Sequence, residues 1–233
     1  MKKSLTLLPL LCLHLAAQAQ FGSLPPFTKW HQNPLGFQPL NLHTSSGLII
    51  PGAAAAICLL LSQKDTALVR KISWFNEVGY SKGYYASRTH VWQNNFGMLF
   101  HARKWLAFGG EFNTYHVSDD VNNTWGFGLR PFVRFYPLHR ERLRLYFESG
   151  AGVMYFLQKF PQPSGFFGDN RTGTNWNGSP KYGIGAEWQL NSKLSLQLGI
   201  RHVHVSNGNT WGKENNPGHD SNGINLGLLY RPF

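Results

Sequence analysis

The sequence predicts an all-β fold: an eight-stranded antiparallel transmembrane β-barrel with an N-terminal extension. Three observations carry that reading. From Lys71 onward the chain divides into eight stretches of strand length in which apolar residues alternate with glycine and charged residues. The connections between those stretches alternate between short and long. Finally, 25 glycines and 15% aromatics accompany a negative mean hydropathy. No stretch after the N-terminus approaches a membrane-spanning helix, because the longest apolar run, Leu48 to Leu61, is broken by Pro51 and Gly52.

Residues 1–19 read as a signal peptide. Met1-Lys2-Lys3 is followed by the mostly apolar run Leu5 to Ala16, then by Ala17-Gln18-Ala19 as a small-residue cleavage site. The apolar run is too short to span the roughly 30 Å of hydrocarbon in a bilayer. Cys12 does not read as a lipoprotein site, since Leu11 precedes it where a small residue is expected. Cleavage leaves Cys58 as the sole cysteine, which excludes an intrachain disulfide. It also removes two of the 22 basic residues, leaving 20 against 11 acidic ones and a net charge of +9. That charge favours anionic partners. Nucleic acid is not among them, because the chain is exported and carries no compact Lys/Arg run.

Residues 20–68 form the extension. Pro25, Pro26, Pro34 and Pro51 argue against long regular structure, and Ala53–Leu61 reads as a short apolar helix. Whether it plugs the barrel, braces it or lies on the membrane is left open.

The barrel itself occupies 69–233. Its first stripe is Ile72, Trp74, Val78 and Tyr80, opposed by Glu77 and Gly79, with Asn76 a polar exception on the apolar side. Trp92, Phe96, Met98 and Phe100 form the second. Leu106, Phe108 and Phe112 oppose Glu111 and Asn113 in the third. Trp125, Phe127, Leu129, Val133 and Phe135 oppose Gly126, Gly128, Arg130 and Arg134 in the fourth. The fifth sets Leu143, Leu145, Phe147, Ala151, Val153, Tyr155 and Leu157 against Arg144, Glu148, Gly150 and Gly152. The sixth sets Tyr182, Ile184, Ala186 and Trp188 against Lys181, Gly183, Gly185 and Glu187. The eighth sets Ile224, Leu226, Leu228 and Tyr230 against Asn225 and Gly227.

Short links fall near His101–Lys104, Pro137–Arg142 and Asn191–Lys193. Longer ones fall near Ser81–Thr89, Ser118–Asn123, Lys159–Asn175 and Asn207–Ser221. An even number of strands with both ends in the periplasm puts all short links inside and all long ones outside. The less apolar faces collect Glu77, Glu111, Glu148 and Glu187 with Arg130, Arg134, Lys181 and Arg201. Eight strands enclose a lumen that side chains fill, so this balanced set is expected to pair up and plug it, which argues against a pore. A soluble lipocalin-like barrel would invert the parity. Phe233 with Tyr230 nearby favours the membrane form, although Pro232 disturbs that ending.

The seventh segment carries the chemistry. Leu194, Leu196, Leu198, Ile200, His202, His204 and Ser206 share one face; Ser195, Gln197, Gly199 and Arg201 lie opposite, followed by Val203 and Val205. A lipid-facing stripe thus ends in histidine and serine at the outer side, where such polar groups are costly unless used or interfacial. Residues two apart on a strand are separated by about 6.6 Å, a gap the His204 imidazole spans to reach the Ser206 hydroxyl. Serine needs a base to become a nucleophile, and the base needs a third group to hold its tautomer. Taken alone, His-x-Ser is a weak signal.

The run His204-Val205-Ser206-Asn207-Gly208, then Asn216-Pro217-Gly218-His219-Asp220 and a last strand Ile224-Asn225-Leu226-Gly227, resembles the PagL-type lipid A 3-O-deacylases. The likeness extends back through Glu148-Ser149-Gly150-Ala151-Gly152 and Tyr182-Gly183-Ile184-Gly185-Ala186, and covers roughly Lys71 to Phe233. The resemblance implies His204 as base, Ser206 as nucleophile and Asp220 as the acid that orients His204, with Asn207 and Gly208 at the oxyanion. Asp220 stands where the family's best-known members have Glu, and the loop before it is longer than theirs, so Glu214 competes for the third role and His219 does so poorly. The implied reaction is hydrolysis of an ester-linked 3-hydroxyacyl chain on lipid A, with lipopolysaccharide and the outer membrane of a Gram-negative cell as partners. Basic residues at the rim, Lys213, Lys159, Arg171 and Arg88, suit lipid phosphates as well as they suit plain solvent.

No cofactor or metal is expected, because no carboxylate or cysteine completes an evident set around His202, His204 and His219. His-Glu-x-x-His is missing. Two further readings stay open: a non-catalytic barrel serving adhesion or structure, and a different lipid-modifying barrel such as an acyltransferase or phospholipase. Homodimerisation is also left open.

Overall fold

The computed structural model describes residues 56, 60, 71–83, 89–162 and 170–232. The expected signal peptide, most of the expected extension, Arg88 and Phe233 lie outside the described residues. Of the Ala53–Leu61 run, Ala56 and Leu60 are described, and both are helical.

Eight strands follow in chain order: β1 Lys71–Gly83, β2 His90–Arg103, β3 Leu106–Ser118, β4 Asn123–His139, β5 Leu143–Phe160, β6 Thr174–Gln189, β7 Leu194–Val205 and β8 His219–Tyr230. Each pairs antiparallel with its neighbour in sequence, and β1 also pairs with β8, from Trp74↔Tyr230 to Gly83↔Ser221, so the sheet closes. Closure leaves no unpaired strand edge for lipid or another chain to meet.

The outward stripes are the apolar ones. Val78, Trp92, Leu129, Ile184, Leu198 and Ile224 are all exposed, while Glu77, Glu111, Arg130, Arg134, Glu148, Lys181, Glu187 and Arg201 are all buried. A soluble barrel needs the opposite arrangement, so the lipocalin-like alternative fails on parity. Asn76, the outward polar exception, accepts a hydrogen bond from Asn94 Nδ2 at 2.9 Å across β1 and β2. Leu106 departs from expectation: it pairs with Phe135 on the outward side yet is fully buried, at the start of β3 just past a register shift between His101 and Arg103.

The lumen is plugged by ion pairs. Glu111 binds Arg130 at 2.8 Å and Lys181 at 2.7 Å. Arg134 bridges Glu148 at 2.8 Å and Glu187 at 3.0 Å, and Arg201 pairs with Glu77 and Glu148. Arg231, just past β8, turns inward to Glu187 at 2.8 Å and Ser195 at 2.7 Å. Glycines make room for large side chains inside: a Cβ on Gly185 would collide with the Tyr146 ring, and one on Gly109 with the Phe132 ring. At the end where Ser206 lies, the filling changes to an apolar cluster of Val91, Tyr115, Val117, Met154, Phe156, Phe160, Val203 and Val205. Val203 and Val205 thus face inward, and their neighbours His202, His204 and Ser206 face out.

The expected alternation of links holds with one change. Residues 104–105, 140–142 and 190–193 close the short end, and 84–89, 161–173 and 206–218 form long connections at the other. The β3–β4 link, expected among the long ones, is a tight turn over 119–122. Asp119 accepts from the backbone N–H of Val121 and Asn122 at 2.8 and 2.7 Å, and from the Thr89 hydroxyl at 2.5 Å. Asn122 in turn donates to the Gln162 carbonyl at 2.9 Å, so this turn ties the β1–β2 and β5–β6 connections together.

Candidate active site

The end of β7 is held from both sides. On one, His202 pairs with Asn222 and His204 with Asp220 of β8. On the other, Ser206 forms an isolated bridge to Gly178 of β6, with Gly178 N–H donating to the Ser206 carbonyl at 2.7 Å and Ser206 N–H to the Gly178 carbonyl at 3.1 Å. Cross-strand pairing places the carboxylate beside the imidazole: His204 Nδ1 lies 2.7 Å from Asp220 Oδ1. With Nδ1 donating to the carboxylate, Nε2 keeps its lone pair. Asp220 is 6% exposed and His204 half-buried, so the contact is only partly open to solvent.

After Ser206 the chain turns sharply. Thr210 N–H donates to the Asn207 carbonyl at 3.1 Å, and Gly208 and Asn209 sit at φ 63° and 62°. Positive φ at both central positions defines a type I′ turn, which Asn and Gly tolerate and most residues do not. The turn aims Gly208 N–H back at the Ser206 Oγ, 3.2 Å away.

Asn207 is engaged elsewhere. Its N–H donates to Asn216 Oδ1 at 3.1 Å, and its side-chain amide donates to the Asn215 carbonyl at 2.6 Å and to Thr174 Oγ1 at 3.2 Å. Of the two residues expected at the oxyanion, Gly208 thus presents its N–H to Ser206, whereas Asn207 braces the loop.

The β5–β6 connection closes over the same loop. Thr172 N–H donates to the Glu214 carbonyl at 2.9 Å, the Thr172 hydroxyl to Asn215 Oδ1 at 3.0 Å, and Arg171 to the Asn216 carbonyl at 3.1 Å. Glu214 itself is exposed on a 3₁₀ turn over Lys213–Asn215, its carboxylate folded against Gly212. His219 pairs with Val205, faces the lumen and packs on Phe160 at 5.2 Å between ring centres. Gly218, at φ 71°, passes close to His204: a Cβ there would lie 3.8 Å from His204 Cε1.

Sequence reasoning passed over Gly178, Thr174 and Asn216 as supports of the site. Their role depends on β6 and on loop contacts that sequence spacing does not reveal. Among the described residues no group of three or more His, Cys, Asp or Glu is arranged to hold a metal.

A family model described as lipid A 3-O-deacylase (PagL) matches residues 77–228. The chain belongs to that family. It is thereby an ester hydrolase of a lipid A deacylase family, on a barrel of the outer-membrane type. Among solved structures it is similar to the outer membrane enzyme PagL, with 14% identity over 66% of this chain and 97% of that one and a TM-score of 0.50. Neisserial surface protein A aligns with 7% identity over 69% and 95% of the two chains at a TM-score of 0.49. The N-terminal β-barrel domain of Pseudomonas aeruginosa OprF aligns with 14% identity over 67% and 96% at 0.40. At 14% identity the PagL likeness speaks for the barrel, and the family assignment rests on the sequence model. No protein with a curated description matches the chain.

Proposed function

We propose that this PagL-family chain is exported by its signal peptide and, in the outer membrane, hydrolyses the ester that joins a 3-hydroxyacyl chain to position 3 of lipid A. The residues assigned to the work are Ser206, His204 and Asp220. The observation that carries the assignment is the 2.7 Å contact of His204 Nδ1 with Asp220 Oδ1 on the outward face that also bears Ser206. A soluble esterase would bury such a group in a cleft. Here it stands at the end of an apolar wall, where the ester of a lipid anchored in the same leaflet arrives without leaving the membrane.

In the proposed reaction His204 Nε2 takes the proton of the Ser206 hydroxyl as Oγ attacks the ester carbonyl carbon. The carbonyl oxygen becomes an oxyanion. Gly208 N–H, already 3.2 Å from Oγ, is a backbone donor placed to stabilise it. Collapse breaks the bond to the sugar oxygen, which leaves with the proton from His204 Nε2, and the acyl chain stays on Oγ. Water then repeats the cycle, giving up its proton to His204, and the hydroxy acid departs as Oγ regains a proton. Asp220 holds the Nδ1–H and stabilises the imidazolium in both halves.

The test is the mass of lipid A from a Gram-negative host expressing wild type, Ser206→Ala or His204→Ala. Loss of one hydroxyacyl chain with the intact pair alone supports the reading. Unchanged lipid A in all three, with phospholipids also unchanged, would overturn it. Neither the family match nor the barrel supports self-association, and no homodimer is proposed.

A further inference from the structure

The outward stripe of β7 contains a second imidazole that the reaction above does not use. His202 shares the parity of Ile200 and His204, yet it is 0% exposed, whereas Ile224, the next outward residue on the neighbouring strand, is 60% exposed. The Tyr182 ring covers it, with centroids 4.8 Å apart. A buried imidazole on a lipid-facing wall is costly unless its nitrogens are used, and here each nitrogen has an oxygen close by. His202 Nδ1 lies 3.1 Å from Asn222 Oδ1, its direct cross-strand partner. His202 Nε2 reaches diagonally to Asp220 and lies 3.2 Å from Oδ1, the oxygen that also meets His204 Nδ1.

We infer that His202 is a positioning residue for the reaction: its Nε2–H holds the Asp220 carboxylate in the orientation that His204 requires. A carboxylate on one flexible bond pair is free to rotate away from its imidazole. Two N–H groups converging on one oxygen, from successive outward positions of β7, fix both the rotation and the tilt. His202 itself is fixed by Asn222 at its far nitrogen and by Tyr182 over its face. A neutral His202 that donates from Nε2 would accept at Nδ1 from the Asn222 amide NH₂, which takes the place of Oδ1 when the amide is turned over, its two ends being alike in shape. A cation at His202 would disfavour the imidazolium that must form on His204. His202 touches neither substrate nor reacting atoms and acts through Asp220.

This inference rests on the Ser206–His204–Asp220 reading, and the test separates the two. The full-length protein, folded in detergent micelles, is assayed for release of hydroxy fatty acid from lipid A, with kcat and KM measured separately. Folding is checked by the faster gel migration of unheated barrel. His202→Phe keeps the ring on Tyr182 and removes the donor; kcat is expected to fall roughly 10- to 100-fold with KM unchanged, the scale of a misplaced catalytic group. His202→Gln retains an N–H of similar reach and is expected to recover most of the lost kcat. Folded His202→Phe with wild-type kcat, or His202→Gln no better than His202→Phe, overturns the inference. Should His202→Phe not fold, Asn222→Leu carries the test, since it leaves His202 in place without its tether; a fall in kcat at constant KM supports the inference and an unchanged kcat overturns it. Ser206→Ala runs alongside. If it stays active, the triad reading itself has failed; if it is inactive while His202→Phe is fully active, only the role of His202 has.

Discussion

Asp220→Asn is the sharpest test of which acid serves His204. The carboxylate is buried, takes the Nδ1–H of His204 at 2.7 Å, and is the charge against which imidazolium forms. Two outcomes are open to the amide. If it keeps its oxygen toward His204, the tautomer survives but the charge is lost. With the centres of imidazolium and carboxylate about 4 Å apart and an effective dielectric of about 20, that charge contributes about 4 kcal/mol, or roughly a thousandfold in rate. If the amide turns its NH₂ toward Nδ1, the proton moves to Nε2 and His204 has no lone pair for Ser206. The loss then reaches the roughly 10⁴-fold typical of a wrong tautomer. Either way kcat falls by about three orders of magnitude or more in the hydroxy-acid release assay, while the unheated protein still migrates as a folded barrel. Glu214→Gln changes an exposed side chain folded on Gly212 and leaves kcat within about threefold, as surface changes away from a site usually do. Asp220→Asn retaining more than about a tenth of wild-type activity would refute the assignment. So would Glu214→Gln being the more damaging of the two.

Three further outcomes follow from the barrel. Arg134→Met leaves Glu148 and Glu187 without a shared partner and is expected to cost about 3–5 kcal/mol, read as a lowered urea midpoint for folding into lipid vesicles. Leu198→Arg puts a charge on the lipid-facing wall and should cost about 2–4 kcal/mol in the same assay if the position lies near the bilayer midplane, while Ser192→Arg in the exposed turn over 190–193 should cost little; equal tolerance of both would contradict the membrane parity. Asp119 provides a pH test of the loop end. Partial burial pushes its carboxyl up, but hydrogen bonds from Thr89, Val121 and Asn122 outweigh this and hold it below the ordinary aspartate value. Its contribution is present above that ordinary value and is lost as pH falls through the lowered one. Proteolytic clipping of the connections should therefore rise only at strongly acid pH, and Asp119→Asn should abolish that pH dependence.

Periodicity along the chain decides which features of this protein are legible in its sequence. Alternation needs only neighbouring residues, so the outward position of His204 and Ser206, the inward charges such as Glu77 and Arg201, and the plugged lumen can all be read from residue order alone. Register across strands does not leave that trace. Gly178 supports Ser206 only because β6 and β7 align at that point, and Thr174 and Asn216 meet Asn207 only because two loops fold together. The same limit hides the setting of two residues. Leu106 fits its stripe but is buried next to a register shift, which alternation does not record. Asn207 carries suitable donors, but the type I′ turn directs them into the loop and brings Gly208 N–H to Ser206 instead.

Asp220 illustrates both sides of that limit. Its place one strand across from His204 is a register fact, yet its competition with Glu214 is a question of spacing along the chain. Spacing makes them near equals, fourteen versus eight positions after Ser206. Pairing does not, because β7 and β8 run antiparallel from the 206–218 connection, which must close before His204 meets any partner. The residue opposite His204 is then fixed by the whole ladder from Leu194↔Tyr230 upward, and that residue is Asp220. A one-residue slip would turn Asp220 inward and every apolar side chain of β8 with it. The hydrophobic wall that holds the barrel in lipid therefore also sets the register of its proposed catalytic acid.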